Sequence, residues 1–247
     1  MRVAAITDIH ANLPALEAVL AAIDAAGVEE IWCLGDTLGY GAEPDGCTDV
    51  VRERCVIVLV GNHDLAVLGA LDIAAFSEAA AEAVAWTREN VAERTLAHLR
   101  ELEPAGAREG VGLFHASPRD PIWEYVLSAE QADACFDAQG TRIALIGHSH
   151  VSLYFNRPTP EEADDDVRGA QSDDGVELDL SARAWLINPG SVGQPRDGDP
   201  RAAWLELDTV GLSARFHRVS YDVERAAASI SAAGLPRRLG DRLLVGS

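Results

Sequence analysis

The segment LVGNHDLAVLG, residues 59–69, joins an apolar run to three different polar side chains. Its first residues continue a run with the character of a buried β-strand, and Gly61 ends that run. Asn62, His63 and Asp64 then follow one another without a break. A Gly-Asn pair is a common turn signal, so these three residues could form only a polar corner. The alternative is a reactive site, and the other strand ends of the chain decide between the two.

Four further β-like runs in the first 150 residues end in a similar way. They lead into TDIH, GDTLG, a lone histidine after GLF, and GHSH, and together these ends carry Asp8, His10, Asp36, His115, His148 and His150. Asp8 and His10 are two residues apart, and so are His148 and His150. In an extended chain both members of such a pair point to one side. Because the carboxyl ends of parallel strands meet at the edge where ligands bind, we expect these side chains to lie together.

A single polar residue at a strand end is weak evidence of function. Asp8 and Asp36 each fit a turn or a helix cap, and a lone histidine at such a position is usually a surface or core residue. The combination indicates chemistry, because five of the seven histidines stand at these ends together with two aspartates and an asparagine. The other two, His98 and His217, lie inside a helix-like and a strand-like run, where we expect structural roles.

The composition favours a cytoplasmic, soluble protein with one α/β domain. The chain has 247 residues, 48% of them hydrophobic, and a formal net charge of −20 from 20 basic and 40 acidic residues. So acidic a surface repels phosphate backbones, which argues against long nucleic acids as partners. We find no export signal at the start, and no apolar run is long enough to cross a membrane. The four cysteines show no C-x-x-C spacing and are expected to be reduced thiols.

Strand-like and helix-like patterns alternate up to His150, which predicts a mainly parallel sheet covered by helices. A long Ala- and Glu-rich helical stretch is expected over residues 77–101. After His150 the strand-like runs follow one another without a long helix, which predicts an antiparallel second sheet, and a final amphipathic helix starts near Tyr221. Residues 161–180 have nine acidic side chains and one arginine, so we expect an exposed, mobile loop or hairpin over about residues 157–181.

The five strand ends resemble the signature of the calcineurin-like metallophosphoesterases. That signature consists of D-x-H, G-D-x-x-G, G-N-H-D, a lone histidine at a strand end and G-H-S-H, and all five parts occur here in that order. The segment INPGSVGQPRDGD, residues 187–199, is also similar to compact bacterial members. The resemblance covers nearly the whole chain and implies a single domain, residues 1–247, with a four-layer α/β/β/α sandwich.

The resemblance also implies a role for each motif residue. Two divalent ions would be held by Asp8, His10 and His150 on one side and by Asn62, His115 and His148 on the other, with Asp36 between them. These ligands suit Mn, Fe, Co, Ni or Zn better than Mg, and a carboxylate can span ions about 3.5–4 Å apart. A hydroxide held between the ions would attack phosphorus. His63 would stabilise the phosphoryl oxygens or protonate the leaving group, and Asp64 would either orient the His63 ring or cap the next helix.

Residues that select the substrate are less visible in the sequence. Arg119, four residues after His115, could bind a second phosphate or an anionic leaving group, or could pair with Asp120 at the surface. Asn188 and Ser191, together with Arg196, could line the same opening.

We therefore expect a phosphohydrolase for small nucleotide-like phosphodiesters. The alternatives are a dinucleoside polyphosphate hydrolase, a protein or phosphomonoester phosphatase, and a non-catalytic metal-binding interaction module. A nuclease acting on long DNA is disfavoured by the net charge of −20. A membrane partner is not expected, while the apolar strands after His150 would provide an edge for a homodimer.

Overall fold

The protein consists of two β-sheets with helices outside them. Residues 1–158 and 166–247 are described by the structure, which is a computed structural model. Within these ranges the strands are β1 (Arg2–Ile6), β2 (Glu30–Cys33), β3 (Ile57–Val58), β4 (Ala105–Arg108), β5 (Val111–Phe114), β6 (Ile143–Leu145), β7 (Leu153–Arg157), β8 (Arg168–Gln171), β9 (Glu177–Asp179), β10 (Ala184–Asn188), β11 (Ala202–Asp208) and β12 (Ser213–Val219). The helices are α1 (Leu13–Ala26), α2 (Pro44–Arg54), α3 (Asn62–Val67), α4 (Glu78–Asn90), α5 (Glu93–Leu99), α6 (Ala129–Phe136), α7 (Val223–Ala232) and α8 (Arg237–Leu243).

Each sheet combines parallel with antiparallel strands. The order in the first sheet is β3-β2-β1-β11-β12-β9, and in the second it is β4-β5-β6-β10-β7-β8. In the first sheet β1, β2 and β3 are parallel, and in the second β5, β6 and β10 are parallel. The other neighbours are antiparallel, so β11 reverses direction beside β1 and β7 reverses beside β10. The parallel strands of each sheet therefore end on the same side, and that is where the motif residues follow.

The two sheets pack face to face, with helices on their outer faces. The core between the sheets contains Trp32 from β2 and Leu113 from β5, both fully buried. Burying a side chain of this size stabilises a fold by about 1.5–3 kcal/mol. A second apolar cluster joins α1 and α2 to the first sheet through residues such as Val19, and a third joins α6 to the second sheet through Phe136. The four-layer α/β/β/α sandwich that the resemblance implies is thus confirmed.

The distribution of the strands differs from the prediction of a parallel sheet followed by an antiparallel one. Among the described residues, the part of the chain before His150 supplies three strands to each sheet, and so does the part after it. Hydrophobic patterns identify a strand and its buried face, but they do not identify its neighbour. The neighbour is set by contacts distant in sequence, such as Ala4 of β1 opposite Glu206 of β11.

Two helical predictions also need correction. The expected stretch over residues 77–101 is divided into α4 and α5. At the break, Asp45 of α2 accepts hydrogen bonds from the Ala92 N–H (3.1 Å) and the Thr95 hydroxyl (2.6 Å), and these bonds hold the start of α5 against α2. In addition, α7 is not the final helix, because α8 follows it after a short turn.

The acidic segment is only partly a loop. Residues 159–165 lie outside the described residues, so the expectation for that part stays a prediction. In the remainder, β8 pairs with β7 in the second sheet and β9 pairs with β12 in the first, so these two strands do not form a hairpin with each other. The residues of β8 are exposed, as the charge pattern predicts. In the part of the chain that is described, none of the helices has the length and apolar character needed to cross a membrane.

Candidate metal centre

The five motif segments come together where the two sheets meet. Three of them follow β1, β2 and β3 of the first sheet, and two follow β5 and β6 of the second. All seven predicted ligands are at most 4% exposed: Asp8, His10, Asp36, Asn62, His115, His148 and His150. The predicted convergence is confirmed, although it occurs at the adjoining edges of two sheets and not at the edge of one.

The backbone reaches this arrangement through left-handed conformations. Asp8 (φ 54°), His10 (φ 50°), Asp36 (φ 52°), His148 (φ 65°) and His150 (φ 59°) all have positive φ. The assumption of an extended chain at these pairs was therefore wrong, because the strands end before the motif residues begin. Residues with side chains adopt such conformations at a cost of order 1–3 kcal/mol each, and they concentrate at functional sites. Here the turns are held by hydrogen bonds between loops, for example from the His10 N–H to the Asp36 carbonyl oxygen (3.0 Å).

A first group of ligand atoms belongs to Asp8, His10 and His150. Asp8 Oδ1 lies 3.4 Å from His150 Nε2 and 3.9 Å from His10 Nε2. The two Nε2 atoms are 3.1 Å apart. The three residues have ligand atoms that all lie within 4.8 Å of one another, a spacing that can accommodate one metal ion.

A second group is formed by Asp36, Asn62, His115 and His148. His115 Nε2 lies 3.6 Å from Asp36 Oδ2 and 3.2 Å from Asn62 Oδ1. The ring of His148 lies 5.3 Å from that of His115, measured between ring centres. Asp36 Oδ2 is also only 3.7 Å from Nε2 of His10 in the first group, so Asp36 lies between the two.

The Nδ1 atoms of three histidines are already bound to the backbone. His10, His115 and His150 each direct Nδ1 at a carbonyl oxygen; the acceptors, in that order, belong to Leu38 (2.9 Å), Leu34 (3.0 Å) and Gln194 (2.6 Å). Because a carbonyl oxygen can only accept, Nδ1 must carry the hydrogen and Nε2 has a free lone pair. This tautomer is the one that binds a metal through Nε2.

The residues present fit divalent metal ions. With Nδ1 protonated in both His10 and His150, neither Nε2 can donate to the other across their 3.1 Å separation. Among the described residues, Asp8 Oδ1, Asp36 Oδ2 and His148 Nε2 are buried without a hydrogen-bond partner. Each such atom costs about 1–3 kcal/mol, and a cation bound between them compensates that cost. Imidazole nitrogens with oxygen ligands are the donor set of divalent transition metals.

Burial shifts the pKa values of these residues in opposite directions. It lowers the pKa of His115 to about 4 and that of His148 to about 3, the latter with help from the neighbouring His115. It raises the pKa of Asp8 to about 7, and it raises the pKa of Asp36 well above its ordinary value together with the nearby Asp64 and Asp8 carboxylates. The imidazoles are therefore in the neutral form that a metal needs, whereas the carboxyl groups have to lose a proton to become ligands.

His63 lies beside both groups of ligand atoms. Its ring is 4.9 Å from that of His10 and 4.4 Å from that of Tyr40, between ring centres, and its Nδ1 is buried without a partner among the described residues. It also forms a compact group with His10 and Asp36. A Cβ atom at Gly39 would come within 2.4 Å of His63 Nδ1. The second glycine of GDTLG therefore leaves the space that the His63 ring occupies.

Asp64 supports the backbone and does not contact the His63 ring. Its carboxylate accepts hydrogen bonds from the N–H groups of Leu38 (2.9 Å), Gly61 (3.0 Å) and Thr37 (3.3 Å). Asp64 therefore does not orient the His63 ring. Its predicted role as a cap of α3 is confirmed, because Gly61, whose N–H it binds, is the residue that precedes this helix. The same carboxylate also ties the GDTLG loop to the start of α3.

The three residues predicted to bind substrate have other contacts. Arg119 forms an ion pair with Glu124 (3.3 Å) and its side chain is 47% exposed. The Asn188 amide donates to the carbonyl oxygen of Gly147 (2.7 Å), and the Ser191 hydroxyl donates to that of Asp8 (2.8 Å). Asn188 and Ser191 thus hold two motif loops in place, whereas Arg119 contacts Glu124, and a substrate-binding role for these three residues stays a prediction.

A cavity of about 360 Å³ opens beside the metal ligands. Its wall includes Asp36, Asn62, His63, His148 and His150, and also side chains that the sequence did not single out: Tyr40, Phe76, Trp123, Tyr125 and Arg242. Arg196, mentioned with the INPGSVGQPRDGD segment, lies on the wall as well. These additional residues come from separate loops and from α8, so no local motif could have joined them.

Two facing mixed sheets with a buried Asp/His cluster at their strand ends define the metal-dependent phosphoesterase class. Sequence comparison leads to the same class, because the calcineurin-like phosphoesterase superfamily domain matches residues 1–210. The chain belongs to this superfamily. The family is metal-dependent, and the membership of this chain in it supports phosphoester hydrolysis as the activity.

Relatives of this chain extend over its whole length. The uncharacterized protein MJ0912 of Methanocaldococcus jannaschii is 36% identical over 250 residues, which cover 99% of this chain and 98% of that protein. A metallophosphoesterase from Sphaerobacter thermophilus has a crystal structure with 40% identity, a TM-score of 0.89, and coverage of 100% of this chain and 99% of the other. The hypothetical protein PH1004 from Pyrococcus horikoshii OT3 has the same fold at 19% identity, with a TM-score of 0.77 and coverage of 100% and 98%.

Proposed function

We propose that the protein is a dinuclear-metal-dependent phosphohydrolase that cleaves small nucleotide-like phosphodiesters. The position of Asp36 carries this proposal. Its Oδ2 atom has no hydrogen-bond partner among the described residues and lies within 3.7 Å of one histidine Nε2 from each group, His10 and His115. A carboxylate in that position can serve two ions at once, which is the arrangement of two-metal hydrolases.

Each of the two groups of ligand atoms is assigned one metal ion in this proposal. Asp8, His10 and His150 would hold one ion, Asn62, His115 and His148 would hold the second, and Asp36 would serve both. Two divalent ions bound there would neutralise charge on the phosphoryl oxygens and lower the pKa of a coordinated water. Backbone carbonyls fix the rings of His10, His115 and His150, so these ligands need little reorganisation when a metal binds.

His63 acts on the substrate in this proposal and is not a metal ligand. Its ring lies on the cavity wall, and burial together with the positive charge of Arg196 holds its pKa well below the ordinary range. A neutral imidazole still has one N–H group, which can donate a hydrogen bond to a phosphoryl oxygen as charge develops there. The same N–H can assist the departing oxygen, so the two roles have to be separated by experiment.

The proposal is tested by metal content and by hydrolysis of two related esters. Purified protein reconstituted with Mn²⁺ is expected to hold two ions per chain. It is expected to hydrolyse bis(p-nitrophenyl) phosphate, a diester, with a higher kcat/KM than p-nitrophenyl phosphate, the matching monoester. One ion or none per chain, or no hydrolysis of either ester by the protein with both ions bound, would overturn the proposal. A preference for the monoester would assign the protein to the phosphomonoester phosphatases.

Metal affinity is expected to fall as the pH decreases below about 7. The Asp8 carboxyl, whose pKa burial raises to about 7, is increasingly protonated below that value and must release its proton to bind a metal. The histidines do not compete in this range, because the pKa values of His115 and His148 are about 4 and 3. Calorimetric titration with Mn²⁺ in buffers of different ionisation enthalpy should therefore register more proton release at pH 6 than at pH 8.5. Equal proton release at both values would contradict this source of the pH dependence.

A further inference from the structure

Two arginines on the cavity wall, Arg196 and Arg242, pair with no acidic side chain among the described residues. The guanidinium group of Arg196 donates from Nη2 to the Tyr40 hydroxyl (3.2 Å) and to Gln194 Oε1 (3.0 Å), while its Nε is buried without a partner. Arg242 donates from Nε to a main-chain oxygen of Ser247 (2.6 Å). Within residues 1–158 and 166–247, neither guanidinium group forms an ion pair with an acidic side chain.

Most arginines in the described part of the chain pair with an acidic side chain. Arg201, for example, pairs with both Asp199 (2.7 Å) and Asp174 (3.1 Å), and Arg218 pairs with Asp197. The two cavity arginines also lie close enough to affect each other. Burial lowers the pKa of Arg242, and the positive charge of Arg196 lowers it further. Two neighbouring guanidinium groups that form no ion pair with an acidic side chain can bind an anion such as phosphate.

The position of Arg242 is fixed by the packing of α8. Leu239 and Leu243 of this helix belong to an apolar cluster that also contains Ala83 of α4 and Tyr40. Arg238 adds ion pairs from α8 to two glutamates of α4, at 3.3 Å and 3.0 Å. Residue 242 also lies beyond residue 210, where the match to the superfamily domain ends. The C-terminal segment therefore contributes a charged group to a site that is otherwise built from the matched domain.

Aromatic rings form another part of the cavity wall. Phe76 and Trp123 are in edge-to-face contact at 5.1 Å between ring centres. Tyr125 stacks on the ring of His148 at 4.1 Å and is 42% exposed, so it has a free face. Planar rings of ligands stack on such side chains. The cavity volume of about 360 Å³ lies within the range of roughly 300–1,000 Å³ that is usual for small-molecule sites.

We infer that Arg196 and Arg242 form a second anion site, which selects phosphodiesters that carry an additional phosphate and a planar ring, such as nucleotides with two phosphate groups. This inference rests on the proposed function, since the scissile phosphate is assigned to the metal centre. The additional phosphate binds to the two guanidinium groups, and the ring packs against Phe76, Trp123 or Tyr125. The two arginines thereby determine specificity without taking part in bond cleavage.

A matched pair of substrates tests this inference. One is thymidine 5′-(p-nitrophenyl phosphate), and the other is the same ester with a phosphate on the 3′ oxygen. In each, a water oxygen bonds to phosphorus, the bond to the nitrophenyl oxygen breaks, nitrophenolate leaves with the electron pair, and the proton of water goes to the solvent. The Mn²⁺-loaded protein is expected to favour the 3′-phosphorylated ester by about 10- to 100-fold in kcat/KM, as charge-assisted hydrogen bonds to a phosphate would give.

The variant Arg242→Gln is expected to lose most of this preference, because its kcat/KM should fall much more for the 3′-phosphorylated ester than for the ester with one phosphate. Arg196→Gln should reduce the preference in the same direction. Arg237→Gln is the matched control, because Arg237 lies on the same helix with a side chain that is 87% exposed, and it should keep the preference. No preference in the wild type, or an unchanged preference in Arg242→Gln, would overturn the inference.

A binding measurement separates this inference from the proposed function. If the wild type hydrolyses neither ester, the proposed function has failed, and the anion site is judged from calorimetric titration with thymidine 3′,5′-bisphosphate and thymidine 5′-phosphate. Tighter binding of the bisphosphate that is lost in Arg242→Gln supports the site. Equal affinities for the two nucleotides refute it.

Discussion

Asp36→Asn is expected to lower kcat/KM by about 10³-fold or more, because it removes a carboxylate whose Oδ2 lies within reach of histidine Nε2 atoms from both groups of metal ligands. Metal ions contribute several kcal/mol to transition-state stabilisation in such centres, and each 1.36 kcal/mol is tenfold in rate. Metal analysis of the variant should give fewer than two ions per chain. We expect this change to be the most damaging among single carboxylate substitutions.

The same variant is expected to melt at an equal or higher temperature than the wild type when both are stripped of metal. Burial, Asp64 and Asp8 raise the pKa of Asp36, so the folded state binds its proton more tightly than the unfolded state does. In the metal-free wild type, the stability that protonated Asp36 provides is therefore lost as the pH rises above the pKa of this carboxyl in the unfolded chain. Asparagine does not titrate, so the variant does not lose stability in this way. The difference in melting temperature between the variant and the wild type should be larger at pH 8 than at pH 5.

Asp24→Asn is a matched control for Asp36→Asn, because Asp24 is 60% exposed and pairs with Arg54 at the surface. It should leave metal content and activity near those of the wild type. Retention of two ions by Asp36→Asn, with activity within tenfold of the wild type, would show that Asp36 does not bridge the metals.

His63→Ala is expected to keep two metal ions per chain and to lose about 10²–10⁴-fold in rate, the usual contribution of a positioned proton donor or charge stabiliser. The physical reason is the position of the ring on the cavity wall, with Nδ1 unpartnered among the described residues and next to Asp36 and His10. Metal analysis and kinetics on the same preparation check both parts of this prediction. Loss of metal in His63→Ala would instead place His63 among the ligands.

Two esters separate the possible roles of His63. A nitrophenyl leaving group needs no proton, whereas an alkoxide leaving group does, so general-acid catalysis predicts a smaller loss for the nitrophenyl ester. Equal losses would mean that His63 stabilises charge on the phosphoryl group. His115→Ala is the comparison variant: its Nε2 lies 3.6 Å from Asp36 Oδ2, so it should lose metal and activity together.

The residues of the candidate site could be predicted because each motif is short and contiguous in sequence. Asp8 and His10, or His148 and His150, are recognisable as pairs whatever the rest of the chain does. The backbone conformation that brings these pairs together could not be predicted in the same way. The pairs point together through left-handed backbone turns, and those turns depend on hydrogen bonds from other loops.

The role of Asp64 shows the same limit. Its neighbour in sequence is His63, yet its carboxylate binds backbone N–H groups, two of which belong to Thr37 and Leu38 in another loop. Arg242 is a further case, because it is about 200 residues distant from the motif residues that share its cavity, such as Asp36. No pattern within a short window relates residues so far apart.

The sequence by itself determined the α/β class, the strands and their apolar faces, and the set of candidate metal ligands, since each depends on local composition, spacing and short motifs. Only the tertiary structure decided which strands are neighbours, how the motif loops turn, and which arginines and aromatic rings border the cavity. Strand pairing and cavity walls arise from contacts between distant segments, and their energies depend on how the whole chain buries its apolar surface. A local pattern carries no information about such contacts, because they form only when the two sheets pack together.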